Sequence, residues 1–264
     1  MLRTRWQKVL IDLWRNRART LIVALAIAVG VYSVGVILDI RDMLVREYAY
    51  DQTGALPASA IIRTAPFDDE LADRVGEIPG VAAAEGRHLV RTRVPGDGGP
   101  SSTPRDLVLV AIPDFETIQV DAIHPLAGQW PPGRREVILE RLTLDFLDAG
   151  IGDEIRIELD DGSIKALTVV GEAHDPQKMT PDVSDEGHGY VTPETMDLLG
   201  LGENYHEMRI SVSEQTRNKE HILGVVDTVE EHLERTGREL YSRTVITDTL
   251  AGPFIDTIVL ILTT

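Results

Sequence analysis

The stretch HDPQKMTPDVSDEGHG, residues 174–189, gathers His174, Asp175, Asp182, Asp185, Glu186 and His188. Imidazole and carboxylate groups together form a donor set for a divalent cation. Their spacing matches no metal motif, and the segment is rich in turn-forming Pro, Asp, Ser and Gly. A polar loop over 174–188 is therefore the expectation, with no metal residue assigned. Other chemistry is absent from the sequence. There is no GxxxxGK[ST], HExxH, G-x-S-x-G or SxxK pattern. The Gly-rich stretch 96–99 lacks the lysine and the following helix of a phosphate-binding loop. The chain has no cysteine, which removes disulfides, thiolate catalysis and Cys-ligated zinc. No catalytic or cofactor-binding residue is assigned, and the chain reads as a non-enzyme. Glu85, Arg87, Arg91 and Arg93 read as solvent-facing charges on a strand.

Charge distribution says more than these motifs. Arg3, Arg5, Lys8, Arg15, Arg17 and Arg19 stand against Asp12 alone in residues 1–19. The whole chain has a net charge of −17, so the remainder is strongly acidic. An acidic body argues against nucleic acid as a partner. The basic tip suits the inner face of a lipid bilayer. From Thr20 to Leu38 there are nineteen consecutive uncharged residues. As a helix this run is roughly 28 Å long, close to the hydrocarbon thickness of a bilayer. It is longer than the apolar core of a signal peptide, and no small-residue cleavage site follows it. Residues 20–40 are therefore read as a transmembrane helix. Positive-inside bias places the N-terminus in the cytosol and the body outside. Trp6, Val9, Leu10, Leu13 and Trp14 share one face of a helix over 1–19. Trp6, Trp14, Arg15 and Arg19 are read as interfacial anchors of this amphipathic lead. Ala26, Gly30 and Ser33 form a small-residue face suited to close packing against another membrane helix.

The body, residues 42–252, must supply its own core. ASAIIRT (58–64) and DLVLVAI (106–112) read as strands, the second central. Residues 68–78 read as a helix with an acidic start, ended by Pro79-Gly80. Residues 81–94 read as one or two strands, and 136–140 as another. A short helix over 142–147 leads to a turn at 149–153. Ile155, Ile157 and Leu159 alternate with polar residues, and Asp160-Asp161-Gly162 supplies the turn to a returning strand over 164–170. A helix over 193–199, a strand over 206–213, an amphipathic helix over 216–235 and a strand over 241–247 complete the pattern. Strands and helices alternate at both ends with β structure between. This predicts an α+β domain with a β-rich subdomain inserted into an α/β one.

PFIDTIVLILTT, residues 253–264, begins a second apolar run. Its helical part, Phe254–Thr264, is roughly 16 Å long, about half a bilayer. Asp256 falls near the outer interface, where a charge is tolerated.

The order of parts resembles the permeases of FtsX/MacB-type ABC transporters. DLWRNRARTLIVALAIAVGV leads into the first span. LAGQWPPGRREVILERLTLDFLDAGIGDEIRIELDDGSIKALTVVGEAHD lies in the external body, which resembles a MacB-like periplasmic core domain. The resemblance implies an α+β extracytoplasmic domain, its α/β subdomain near the membrane, framed by transmembrane helices. It implies a second permease copy or half as partner and a separate cytosolic ABC ATPase subunit. ATP would act only through that ATPase, with no cofactor in this chain. An extracytoplasmic protein partner is also implied, and cell (inner) membrane localisation with several spans. The resemblance makes the run at 253–264 the start of a truncated second membrane helix. The alternative is a membrane-anchored external domain that binds a ligand or protein without any ATPase.

Overall fold

The protein is described by a computed structural model covering residues 17–18, 21–23, 25–32, 35, 56–96, 103–216 and 218–246. It divides into two units, residues 1–50 and 51–264. In the first unit, residues 25–32 are helical and their side chains are exposed. Ala26 and Gly30 lie in this helix, and a Cβ placed on Gly30 would meet nothing within 4 Å. Ser33, Trp6, Trp14, Arg15 and Arg19 lie outside the described residues, as does the run 253–264. Among the described residues no helix is long and apolar enough to cross a membrane.

The second unit contains, in order, β1 (Ala60–Phe67), α1 (Asp69–Gly76), β2 (Val81–Val94), β3 (Arg105–Ala111), β4 (His124–Gly128) and β5 (Glu136–Glu140). These are followed by α2 (Arg141–Leu147), β6 (Glu154–Glu158), β7 (Ile164–His174), α3 (Pro181–Ser184) and β8 (Glu186–Val191). The last elements are α4 (Pro193–Leu198), β9 (Tyr205–Val212), α5 (Lys219–Arg235) and β10 (Leu240–Val245).

The first three and last three elements form one layer pair. Strand order β10-β1-β9-β2, antiparallel throughout, makes a split βαβ sheet. Both of its helices are specified locally. The Asp68 side chain accepts from the Leu71 backbone N–H and caps α1, and Asp69 and Glu70 favour its positive end. Asn218 accepts from the N–H groups of Glu220 and His221 and caps α5. Ile222, Val225, Val226, Val229 and Leu233 repeat at helical spacing and bury against Ile62, Met208 and Ile210 of the sheet.

β3 to β8 are inserted between β2 and β9. Their pairing runs β2-β3-β8-β5-β7-β6 and returns from β6 to β2 at Arg93↔Glu158, closing a small barrel. Leu107, Leu109, Val137, Leu139, Ile155, Ile157, Leu167 and Val169 fill its interior. A second apolar layer, including Val108, Val110, Ile138, Phe115 and Tyr190, lies on the other face of the central strands. The α+β class with an inserted β-rich subdomain is therefore as the sequence indicates.

Residues 81–94, which the sequence allows as one strand or two, are a single strand of 14 residues, roughly 45 Å of extended chain. Two expectations are corrected. The expected loop at 174–188 is partly regular: β7 reaches His174, a short helix spans Pro181–Ser184, and β8 starts at Glu186. Backbone pairing with β4 and β3 draws both ends of that segment into the sheet. Glu85 and Arg87 are not solvent-facing but buried, at 7% and 1% exposure. They lie on the sheet face opposite α1 and α5, and the segment after β3 covers that face. Arg91 and Arg93, further along, keep exposed side chains.

Candidate functional site

β2 belongs to both subdomains. Up to Arg87 it pairs with β9, and from His88 onward it pairs with β3. The point of exchange is the seam between the split βαβ sheet and the barrel. Charged side chains concentrate there.

Two tripeptides build the seam. Glu85-Gly86-Arg87 on β2 and Glu207-Met208-Arg209 on β9 run antiparallel, with Glu85 opposite Arg209 and Arg87 opposite Glu207. Strand periodicity puts all four charges on one face, while Gly86 and Met208 point to the helices. Within each strand the Arg also grips its own Glu. Arg87 Nη1 lies 2.9 Å from Glu85 Oε1, and Arg209 Nη2 lies 3.1 Å from Glu207 Oε1.

The inserted subdomain joins through the segment after β3. Glu85 Oε2 accepts the backbone N–H groups of Gln119 and Val120, at 3.2 and 3.0 Å. Arg87 Nη2 donates to the Val120 carbonyl at 3.1 Å. Asp121 Oδ2 receives Arg209 Nη1 at 2.9 Å, while its Oδ1 accepts the Ala58 N–H at 2.9 Å. Burial works against the Arg209 charge, yet Asp121 and Glu207 outweigh it and hold its pKa above the ordinary value. Val120 packs with Ala58 and Ala83, so the joint is apolar at its centre and ionic around it. Buried charges this close to neutral balance, each with hydrogen bonds, satisfy the condition under which desolvation is tolerated.

A second polar group sits beside the first. Tyr190 Oη donates to Asp175 Oδ2 at 2.8 Å, and burial followed by the Asp175 charge raises the phenol's pKa well above normal. Burial lowers the Lys178 pKa, and Asp175 opposes that shift. His188 on β8 is pushed down to about 4 by burial, with the neighbouring Lys178 charge adding to the effect. On the seam's helix-side face, His88 stacks edge-on against His206 with ring centroids 4.8 Å apart. Next to these groups opens a cavity of about 420 Å³, with Leu89, Arg91, His188, His206 and Glu207 among its walls.

The six residues of the 174–188 cluster are dispersed rather than convergent. Asp175 turns inward to Tyr190, His174 Nδ1 lies 3.6 Å from Glu140, and Asp182 and Asp185 are exposed. Among the described residues no group of three or more His, Asp or Glu side chains could hold a metal ion. The seam contains no nucleophile paired with a base. Its contacts hold the two subdomains together. The sequence reading missed it, although the repeated E-x-R on two strands was visible.

The model of the MacB-like periplasmic core domain matches residues 20–223. Among solved structures, the extracellular domain of the noncanonic ABC-type transporter YknZ from Gram-positive bacteria aligns at 9% identity and TM-score 0.46, over 70% of this chain and 100% of that one. The periplasmic region of MacB from Actinobacillus actinomycetemcomitans aligns at 11% identity and TM-score 0.43, over 77% and 91%. A domain of a permease protein from Porphyromonas gingivalis aligns at 13% identity and TM-score 0.42, over 75% and 96%. No curated protein matches. On the family match, which spans most of its length, the chain belongs to the family of the MacB-like periplasmic core domain found in FtsX/MacB-type ABC transporter permeases.

Proposed function

We propose that this chain is a permease component that passes ATP-driven motion from a separate cytosolic ATPase to its external domain. The motion would serve export, extraction or regulation of an external partner. One observation carries the reading: the domain's entry and exit are joined. Ile246 N–H donates to the Ser59 carbonyl at 2.8 Å, and Ala60 pairs with Val245. The first and last strands of the domain, β1 and β10, are therefore neighbours in one sheet. A displacement applied at that point enters β1 and β10 together. It reaches the barrel through β9, the E-x-R seam and the continuous β2.

The test is purification of the full chain from membranes of its own host under mild detergent. An ABC ATPase should accompany it, and ATP should change the distance between a label on the barrel and one on α5. If the chain is recovered intact without an ATPase and its geometry ignores nucleotide, a membrane-anchored binding domain replaces this reading.

A further inference from the structure

The cavity beside the seam takes its walls from both subdomains. Arg63 and Glu207 come from the split βαβ sheet, Glu186 and His188 from the barrel, and Arg91 from the β2 they share. Junctions of this kind commonly hold ligands, and about 420 Å³ leaves room for a small one.

The polar groups on these walls are unevenly engaged. Glu207 is surrounded by donors: Arg209 Nε and Nη2 reach its Oε1, each at 3.1 Å, and Arg63 Nη2 reaches its Oε2 at 3.2 Å. Glu186 Oε1 accepts from Arg91 Nη2. Of the four oxygens on these two carboxylates, Glu186 Oε2 alone has no described contact. Arg63 and Arg91 each use one N–H in these bonds, out of the five a guanidinium carries. Their side chains are 59% and 66% exposed, so the remaining donors stay open. Unused donors therefore outnumber unused acceptors. His188 adds no charge at pH 7: burial, then Lys178 and Arg209 against Asp175, lower its pKa to about 4. The rest of the wall includes Leu89 and Val108, which pack in one apolar layer.

A ligand matching both kinds of wall has a negatively charged acceptor and an apolar part. Guanidinium forks fit a planar carboxylate. The chain's net charge of −17 repels polyanions at a distance, so a single charge suits this cavity better than many. We propose that the cavity is a binding site for a carboxylate carried on a short apolar stem, with Arg63 and Arg91 supplying donors and Leu89 and Val108 receiving the stem. The C-terminus of a peptide and a short fatty acid both offer that group. The site asks nothing of an ATPase, so it and the transport reading can fail separately.

The test uses the full chain in lipid nanodiscs, with the signal of empty nanodiscs subtracted. Two probes are titrated, acetyl-alanyl-leucine and hexanoate, and saturation-transfer NMR reads binding from their methyl groups. The corresponding amides, which keep the stem and lose the charge, are titrated alongside. At least one acid should bind about tenfold more tightly than its amide, and Arg63→Gln with Arg91→Gln should abolish that preference. Preference for the peptide acid alone assigns the site to chain ends, for hexanoate alone to fatty acids, and for both to the carboxylate they share. The proposal is overturned if neither acid binds, or if acid and amide bind equally. An undiminished preference in the double variant overturns it too. Both ion pairs lost in that variant involve exposed arginines and contribute little to stability, and Glu207 keeps Arg209. The comparison of acid with amide in the native chain stands without the variant.

Discussion

At the scale of single residues, Arg209 decides the seam. It contacts Asp121 and Glu207 at once, and its side chain is only 7% exposed. Arg209→Met keeps most of the volume but takes the buried cation away from two buried carboxylates, Asp121 and Glu207. The expected loss is about 3–5 kcal/mol, read as a lower denaturant midpoint of the purified protein. Arg243→Ala removes contacts to Asp227 and Glu230 on an exposed face and should change the same midpoint little. His188 makes a second prediction at this scale. Its folded pKa of about 4 lies below the unfolded 6.5, so the unfolded chain binds more protons between those values. Stability should fall as pH drops from 6.5 to about 4, by up to about 3 kcal/mol, and His188→Gln should flatten that slope. What the sequence disclosed here was uneven. Glu85 and Arg87 carry the same E-x-R spelling as Glu207 and Arg209, but a strand's outward face is ordinarily wet. Their burial depends on Gln119 and Val120, which arrive from more than thirty residues away, and no local signal announces that cover.

At the scale of elements, β2 is the critical piece. Gly86 lies where β2 is still paired to β9, and a Cβ there would run into the Tyr205 ring. Gly86→Val should therefore disturb the β2–β9 register, lowering the melting temperature by the equivalent of roughly 1–3 kcal/mol. Asn218→Ala, which removes the cap of α5, should cost about 1 kcal/mol by the same measurement. Most elements announced themselves through periodicity. α5 shows it in Ile222, Val225, Val226, Val229 and Leu233, and β6 in Ile155 and Ile157. β4 did not. Its residues HPLAG include a proline, and four of the five are exposed at the sheet margin. An edge strand needs little apolar patterning, because its backbone pairing with β7 does the work. The sequence allows β2 as one strand or two, because its inward face changes character from the seam to the barrel.

At the scale of the whole molecule, charge and hydropathy had already separated a basic lead, an apolar run and an acidic body. The proposed orientation can be measured directly in a chain without cysteine. Asp161→Cys should react with a membrane-impermeant maleimide in intact cells, whereas Arg3→Cys should react only after lysis. Labelling of Arg3→Cys in intact cells would overturn this orientation. The joined ends of the domain have one more consequence. Ser59 and Ile246 are a hydrogen bond apart, so everything between them closes on itself like a cassette in a slot. Such a cassette can be exchanged between membrane frames without stretching either end.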